Sequence, residues 1–208
     1  MRGLKNFSIR FAAACAGLLL QACASAPVQP ATAAHALAAY RTDPFAPVNL
    51  IALTADDDAD SAAGLPPLLA QLKLSGAFAE LQTGARPWPI TLELRYAAGP
   101  WTRLDGRAHA ALSALTLGAV PARKQHQHAL TVNVMHQDER VRSLVYGETA
   151  FAEISALHAD DTAAADANAR ERLIARMLED LERQHLVPHV SDLKREQKKI
   201  RRKKGVVL

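Results

Sequence analysis

The sequence contains very little cysteine: 2 of its 208 residues, Cys15 and Cys23, both near the N-terminus. After Cys23 there is no thiol, so no disulfide can hold the rest of the chain together and no thiolate can bind a metal there. Long apolar runs are missing as well. The run 11–20 has about ten residues, whereas a helix needs about 20 to span a bilayer. We therefore expect a fold that is stabilised by its hydrophobic core.

Recognisable catalytic motifs are also missing. The chain has no G-x-S-x-G, no P-loop, no G-x-G-x-x-G and no C-x-x-C. Ser191-x-x-Lys194 matches the S-x-x-K of serine acyltransferases, but it lies at the start of a charged tail rather than of a buried helix. The carboxylates are scattered along the chain. The sequence therefore predicts a protein that is not an enzyme, has no catalytic residue and binds no cofactor.

The N-terminus has the three zones of a secretory signal. Arg2, Lys5 and Arg10 give it a positive start, the apolar run 11–20 follows, and small residues come next. One interpretation is an ordinary signal that is cleaved near residues 22–26.

The end of this signal supports a second interpretation. Leu20-Gln21-Ala22-Cys23 resembles the bacterial lipobox, with leucine at −3, a small residue at −1 and the required cysteine. The resemblance implies cleavage before Cys23 and a diacylglyceryl group on its thiol. Ala24, rather than aspartate, follows the cysteine, which favours sorting to the outer membrane. Because two or three acyl chains give a stable anchor, we expect the mature chain to be held by Cys23 on the periplasmic face of the outer membrane.

Composition divides the chain into four segments. The stretch before Val48 is rich in alanine, proline and threonine, which is typical of a semi-extended tether. We predict a signal peptide at 1–22, a flexible tether at 23–47, an α+β domain at 48–190 and a basic tail at 191–208.

The positive charge is concentrated at the C-terminus. The whole chain has 25 basic and 21 acidic residues. Without the three basic residues of the signal, and without the eight basic residues and Glu196 of the tail, 14 basic and 20 acidic residues remain, a net charge of −6. The basic residues of the tail are Lys194, Arg195, Lys198, Lys199, Arg201, Arg202, Lys203 and Lys204. The tail has no aromatic residue to stack on bases and belongs to an exported protein, so we expect no nucleic-acid partner. It is either a solvated tail or a contact for anionic lipid or an acidic protein patch.

Hydrophobic periodicity predicts the elements of the domain. The apolar run 48–53 is typical of a buried central strand, and the leucines at 65, 68, 69 and 72 have helical spacing. Residues 89–96 and 129–135 alternate as half-buried strands, and a turn at 137–140 leads into a further strand. A helix from residue 161 or 162 to about Leu186 closes the domain. We predict an α+β fold: a mixed, mostly antiparallel sheet with an early βαβ-like unit and a long C-terminal helix packed on one face.

The opening unit resembles a known group of envelope domains. Leu50–Leu53, Leu72–Gly76 and Phe78 follow the order strand, helix, strand that is seen in TolB N-terminal-like domains. Those domains occur in TolB, in CsgG-type curli secretion lipoproteins and in LpoB-type activators of peptidoglycan synthases. The resemblance implies a role in the cell envelope, with a peptidoglycan synthase as partner if the LpoB-type likeness holds.

An acidic stretch follows the first predicted strand. Asp56, Asp58 and Asp60 have the spacing that opens an EF-hand calcium loop. That loop requires glycine at its sixth place and glutamate at its twelfth, where this chain has Ser61 and Pro67. We therefore expect a solvated acidic loop.

Histidines form the other candidate metal cluster. His126 and His128 would share one face of a strand, and His136, His185 and His189 follow later in the chain. Zinc needs three or four converging ligands, and the sequence has no H-E-x-x-H motif. We expect surface histidines and no metal site.

Residues 108–120 are almost free of charge and too short to span a bilayer as a helix. They are expected to form a buried helix or loop on the sheet, or else a segment that contacts lipid or a partner. Taken together, the sequence predicts a non-enzymatic, lipid-anchored envelope protein that binds an unidentified envelope protein. The alternative is a subunit or accessory lipoprotein of a transport or secretion complex, such as a CsgG-like oligomer.

Overall fold

The computed structural model describes residues 40–54, 59–84, 87–104, 106–116, 119–155 and 161–205. For residues 107–110, 201 and 203–205 it describes the backbone alone. Cys23, the signal peptide, Asp56 and Asp58 lie outside the described residues. No helix within the described ranges has the length and apolar character needed to cross a membrane.

The chain begins its sheet with a parallel βαβ unit. Strand β1 (Val48–Thr54) leads into helix α1 (Ala59–Ser75) and then into the short strand β2 (Leu81–Thr83). β1 and β2 are parallel, with Val48 opposite Leu81. A parallel pair needs a crossover of this kind, and α1 supplies it. The predicted βαβ-like unit is confirmed.

The rest of the sheet is mainly antiparallel. Strand β3 (Ile90–Ala98) pairs in parallel with β1. On its other side, β3 pairs with the antiparallel strand β5 (Ala122–His136). The two-residue strand β4 (Thr102–Arg103) pairs with β5 beyond the end of β3. Strand β6 (Glu139–Ile154) pairs with the whole length of β5. Among the described residues β6 has no other strand partner, so it forms one edge of the sheet.

The β5–β6 hairpin is connected by two residues. Gln137 and Asp138 have φ values of 51° and 68°. Positive φ at both central positions is the requirement of a type I′ turn, whose twist matches that of the strands. The predicted hairpin is therefore present.

Three further helices follow the opening unit in the described part of the chain: α2 (Arg107–Leu115), α3 (Thr162–Arg183) and α4 (Val190–Gly205). Helix α3 buries an apolar stripe against the sheet: Ala169, Leu173, Ile174, Met177, Leu178 and Leu181. The long C-terminal helix packed on one face is confirmed.

Helix α3 ends at Arg183, three residues before the predicted end. His185 takes a φ of 52°, and the Leu186 N–H donates to the Leu181 carbonyl oxygen over 3.0 Å. The His185 N–H donates to the Glu182 carbonyl oxygen, which completes a Schellman cap. This cap ends the helix before Pro188 can do so.

The hydrophobic core lies on one side of the sheet. The even-numbered residues of β1, β3 and β5 face α1 and α3, among them Leu50, Leu92 and Val132. Leu68 and Leu72 of α1 are buried in the same core. On the other face of the sheet, none of the described helices covers strand β6.

The core begins earlier in the chain than composition predicts. Phe45 is 0% exposed, and its ring packs against Phe78 at 5.5 Å and His189 at 4.5 Å between centroids. Tyr40 and Ala46 are also buried. Residues 40–46, assigned above to the tether, are therefore part of the folded domain, because their aromatic side chains fill space between α1 and the start of α4.

The C-terminal segment has more regular structure than the predicted basic tail. Residues 194–204, which carry the basic cluster, lie within helix α4. Leu193 packs against the core, and the Ser191 hydroxyl donates to Asp43 Oδ2 over 2.6 Å. These contacts fix the first turn of α4 to the residues that open the domain.

We predict that Gly64→Ala destabilises the protein by about 1–3 kcal/mol, although alanine is the better helix former. A Cβ at position 64 would lie 2.5 Å from Tyr96 Cε1, and the ring of Tyr96 is completely buried and has no room to move. Urea unfolding measures the change.

Gly99→Ala is the matched control for that substitution, because a Cβ at position 99 meets no atom within 4 Å. Equal stability of the two variants would contradict the close packing of α1 on Tyr96.

Candidate functional site

His126 and His128 lie on β5 and face the helices. Their side chains are on the same side of the sheet as Leu130 and Val132, and the residues are 6% and 2% exposed. The prediction of surface histidines is wrong for this pair. Sequence periodicity places the two imidazoles on one face of a strand, but it does not show that α3 and the ring of Trp101, 5.1 Å from His126, cover that face.

Asp166 joins the two histidines. Its Oδ1 lies 2.7 Å from His126 Nδ1 and 3.1 Å from His128 Nε2. Asp166 belongs to the second turn of α3, and its side chain is 19% exposed. One carboxylate oxygen therefore accepts hydrogen bonds from both imidazoles.

Sequence reasoning missed Asp166, although a signal was present. Asp166 precedes Ala169 by three residues and Leu173 by seven, so it lies on the buried stripe of α3. A carboxylate on an apolar stripe requires a partner, because a buried charge without one is costly. The two histidines are that partner.

Tyr96 extends the cluster into the core. The Tyr96 hydroxyl donates to His128 Nδ1 over 2.6 Å, and Tyr96 is 0% exposed. The carboxylate of Asp166 can only accept, so His128 Nε2 carries the hydrogen and Nδ1 is free to accept from Tyr96. The positive charge of Arg170 acts on Tyr96 from nearby and opposes the rise of its pKa.

Burial determines the charge of this network. It lowers the pKa of His128 to about 4; the neighbouring His126 also lowers it, while Asp166 opposes both effects. Burial likewise raises the pKa of Tyr96. At neutral pH the tyrosine and His128 are therefore uncharged, which is consistent with the chain of donors and acceptors above.

One atom of the cluster is left without a partner among the described residues. His126 Nε2 is buried and makes no hydrogen bond there. His126, His128 and Asp166 each offer a ligand atom, and these atoms all lie within 4.8 Å of one another. They are the residues of the described chain that could hold a metal ion.

The cluster is separate from a pocket that lies elsewhere on the described part of the chain. That pocket is lined by Pro87, Trp88, Pro89, Thr91, Gln137 and Asp138. None of these residues belongs to the histidine cluster.

The remaining predicted site residues do not converge. Asp60 and Ser61 lie in α1, where the Ser61 hydroxyl accepts from the Ala98 N–H over 2.9 Å. His136 is exposed at the end of β5. His185 caps α3, and His189 donates through Nδ1 to the Asp43 carbonyl oxygen over 2.8 Å. These histidines are therefore not placed to bind one metal ion together.

The basic residues with described side chains are exposed on α4: Lys194, Arg195, Lys198, Lys199 and Arg202. Arg195 lies 3.6 Å from Asp192 in an exposed ion pair. Such pairs contribute little to stability, so the basic surface is available for contact.

Residues 108–120 include most of helix α2. A helix was one of the predicted forms, but Leu112 and Leu115 are exposed, the latter by 80%. These two leucines are therefore not buried against the sheet.

Comparisons with protein-family models and with curated proteins find no match. Among solved structures the chain is similar to a minor lipoprotein from Acinetobacter baumannii, with 13% identity, coverage of 69% of this chain and 95% of that one, and a TM-score of 0.39. A protein from Caulobacter crescentus described as a lipoprotein is 13% identical, with coverage of 74% of this chain and 92% of that one and a TM-score of 0.38. The rare lipoprotein B from Shewanella oneidensis is 10% identical, with coverage of 66% of this chain and 96% of that one and a TM-score of 0.38. All three carry a lipoprotein name.

We predict that stability falls as the pH decreases from about 6.5 to about 4, and that His128→Gln weakens this dependence. In this window the unfolded chain binds a proton at His128 and the folded chain does not, because burial, His126 and Arg170 disfavour the charge more than Asp166 favours it. The loss attributable to His128 is on the order of 2–3 kcal/mol.

Urea unfolding across this pH range, with a chelator present, measures the effect. His136→Gln removes an exposed histidine from the same strand and should follow the wild type. A His128→Gln variant with the wild-type slope would show that His128 titrates normally.

Proposed function

We propose that this chain is a lipid-anchored protein of the cell envelope that binds a protein partner and catalyses no reaction. The anchor is Cys23, and the location is the periplasmic face of the outer membrane. The lipobox-like Leu20-Gln21-Ala22-Cys23 supports the anchor. The observation that carries partner binding is the exposed apolar face of β6.

That face has side chains of a kind that soluble proteins usually bury. Val145 is 73% exposed and Phe151 is 63% exposed, both on the side of β6 that faces away from α3. Six residues of strand separate them by about 20 Å. Gly147 and Thr149 lie between them on the same face, so Val145 and Phe151 are two separate exposed apolar side chains on an uncovered face. They are the residues we assign to the partner surface.

The backbone of β6 supports the same assignment. Among the described residues β6 pairs with β5 alone, so it has an unpaired edge. Part of this edge is already covered by α3, because the Gly147 and Thr149 carbonyl oxygens accept from Arg176 and Arg172. A partner can add a strand to such an edge and hold its position through main-chain hydrogen bonds. Side chains of the partner would then pack on Phe151.

The basic residues of α4 give a second contact that suits a membrane-anchored protein. Each basic residue near an anionic surface contributes about 1 kcal/mol, reduced by salt. The residues 194–204 would therefore bind anionic headgroups or an acidic surface of the partner, without any nucleic acid.

A second candidate function is a subunit or accessory lipoprotein of a transport or secretion complex. The open edge of β6 favours it, because a second copy of the chain could pair there. Size-exclusion chromatography of the lipidated protein in detergent separates the two: a CsgG-like ring would elute far ahead of a monomer.

We predict that Cys23→Ser abolishes labelling by radioactive fatty acid in growing cells, because the serine hydroxyl does not replace the thiol as lipid acceptor. Cys15→Ser is the matched control and should be labelled like the wild type. Equal labelling of the wild type and Cys23→Ser would remove the anchor from the proposal.

We predict that a photo-crosslinking residue at position 151 captures a specific protein in intact cells. Position 179 on α3, an exposed glutamate on the opposite side of the molecule, should capture far less. Phe151→Asp should abolish capture from position 145 without loss of folding, because Phe151 is exposed. The proposal fails if positions 151 and 179 give the same products.

A further inference from the structure

Three side chains bring nitrogen and oxygen ligands to one point beneath α3. His126 Nδ1 and His128 Nε2 both face Asp166 Oδ1, at 2.7 and 3.1 Å. Imidazole nitrogen with carboxylate oxygen is a ligand set that zinc and neighbouring transition metals accept. Each of the three residues lies on a helix or strand that packs in the core, so their positions are set by the fold.

We propose that His126, His128 and Asp166 form a binding site for a divalent transition-metal ion of the zinc type. His126 binds through Nδ1, His128 through Nε2 and Asp166 through Oδ1. This site is independent of the lipid anchor and of the partner surface on β6.

Two of the three ligand separations are close to those around a bound ion, and the third, between the two ring nitrogens, is within 4.8 Å. With metal–ligand bonds of about 2.0–2.1 Å, neighbouring ligands of a tetrahedral ion are about 3.3 Å apart. The distance from Asp166 Oδ1 is shorter than this by about 0.6 Å for His126 Nδ1 and by about 0.2 Å for His128 Nε2. Rotation of the carboxylate and of the His126 ring would make room for the ion.

Ion binding keeps the number of protons on the two imidazoles, but it replaces their hydrogen bonds to Asp166 by bonds to the ion. In the ion-free cluster His126 Nδ1 and His128 Nε2 carry hydrogen and donate to Asp166. When these nitrogens bind the ion, each neutral imidazole carries its hydrogen on the other ring nitrogen. For His126 that nitrogen is Nε2, the buried atom without a hydrogen-bond partner among the described residues.

Tyr96 is placed to support the ligand geometry. In the ion-bound form His128 Nδ1–H donates to the Tyr96 hydroxyl oxygen, which lies 2.6 Å away, and the Tyr96 O–H no longer has His128 as its acceptor. A metal-binding histidine usually has an outer partner of this kind, which fixes its ring and its tautomer. Arg170 is a positive charge near Tyr96 and His128, and its repulsion lowers the affinity of the site.

Asp166 gives the ion a route from solvent. Its side chain is 19% exposed, whereas that of His128 is 0% exposed. Three protein ligands leave the fourth position of a tetrahedral ion for a water molecule. Magnesium and calcium prefer oxygen ligands alone, so the two imidazoles select against them.

The test uses the lipidated full-length mature protein, purified in detergent through a tag without histidine. After treatment with a chelator and its removal, we expect one equivalent of Zn²⁺ to bind and to raise the Tm, while Mg²⁺ and Ca²⁺ leave the Tm unchanged. Co²⁺ serves as a spectroscopic probe and should give the visible absorption of a four-coordinate ion.

The variants assign the binding to these residues. Asp166→Asn and His128→Gln should lose the bound equivalent and the Co²⁺ absorption, and Tyr96→Phe should weaken binding by roughly 10-fold. His136→Gln, which changes an exposed histidine on the same strand, should bind like the wild type. Circular dichroism without metal checks that each variant folds.

The proposal is overturned if the wild type binds no stoichiometric Zn²⁺. It is also overturned if folded Asp166→Asn binds as well as the wild type, or if His136→Gln loses the ion. If neither ligand variant folds, the test rests on the Co²⁺ spectrum of the wild type and on its change in Tyr96→Phe. A wild-type spectrum typical of six-coordinate aqueous Co²⁺ would contradict the site.

Discussion

The packing of helix α3 on one face of the sheet is the interaction on which the rest of the structure depends. Six apolar residues of α3 lie in the core, and β5 and β6 supply the surface beneath them. Burial of this stripe is worth far more than any single polar contact in the domain. Because α1 and α3 occupy the same face, the other face remains without a helix beside β6. The uncovered face of β6, where we propose that a partner binds, and the buried histidine cluster both follow from this packing.

The elements with a strong period could be predicted from the sequence. The alternation of β3 and β5 and the stripe of α3 depend on neighbours within the same element, so the sequence pattern shows them directly. The burial of His126 and His128 could not be predicted in this way. It depends on Asp166, which is 40 and 38 residues away in the chain. A local pattern contains no information about which strand a helix will cover.

The two predicted ends of the domain show a similar limit of reading structure from local composition. Alanine and proline made residues 40–46 look like tether, yet Phe45 is completely buried because Phe78 and His189 surround it. The density of positive charge made residues 194–204 look like a tail, yet their backbone is helical. In residues 40–46 the burial of Phe45 overrides the composition, whereas residues 194–204 continue a helix whose first turn is fixed to the domain by Ser191 and Leu193.

The contacts between residues 43–46 and 188–191 join the two ends of the folded domain. Besides the Ser191 and His189 contacts, the Ala46 N–H donates to the Pro188 carbonyl oxygen over 2.7 Å. Tension applied along the N-terminal segment therefore acts first on these hydrogen bonds and on the ring of Phe45, and not on the strands of the sheet. The place where the chain enters the domain is thus its mechanical attachment point, and the first turn of the basic helix is fastened to it.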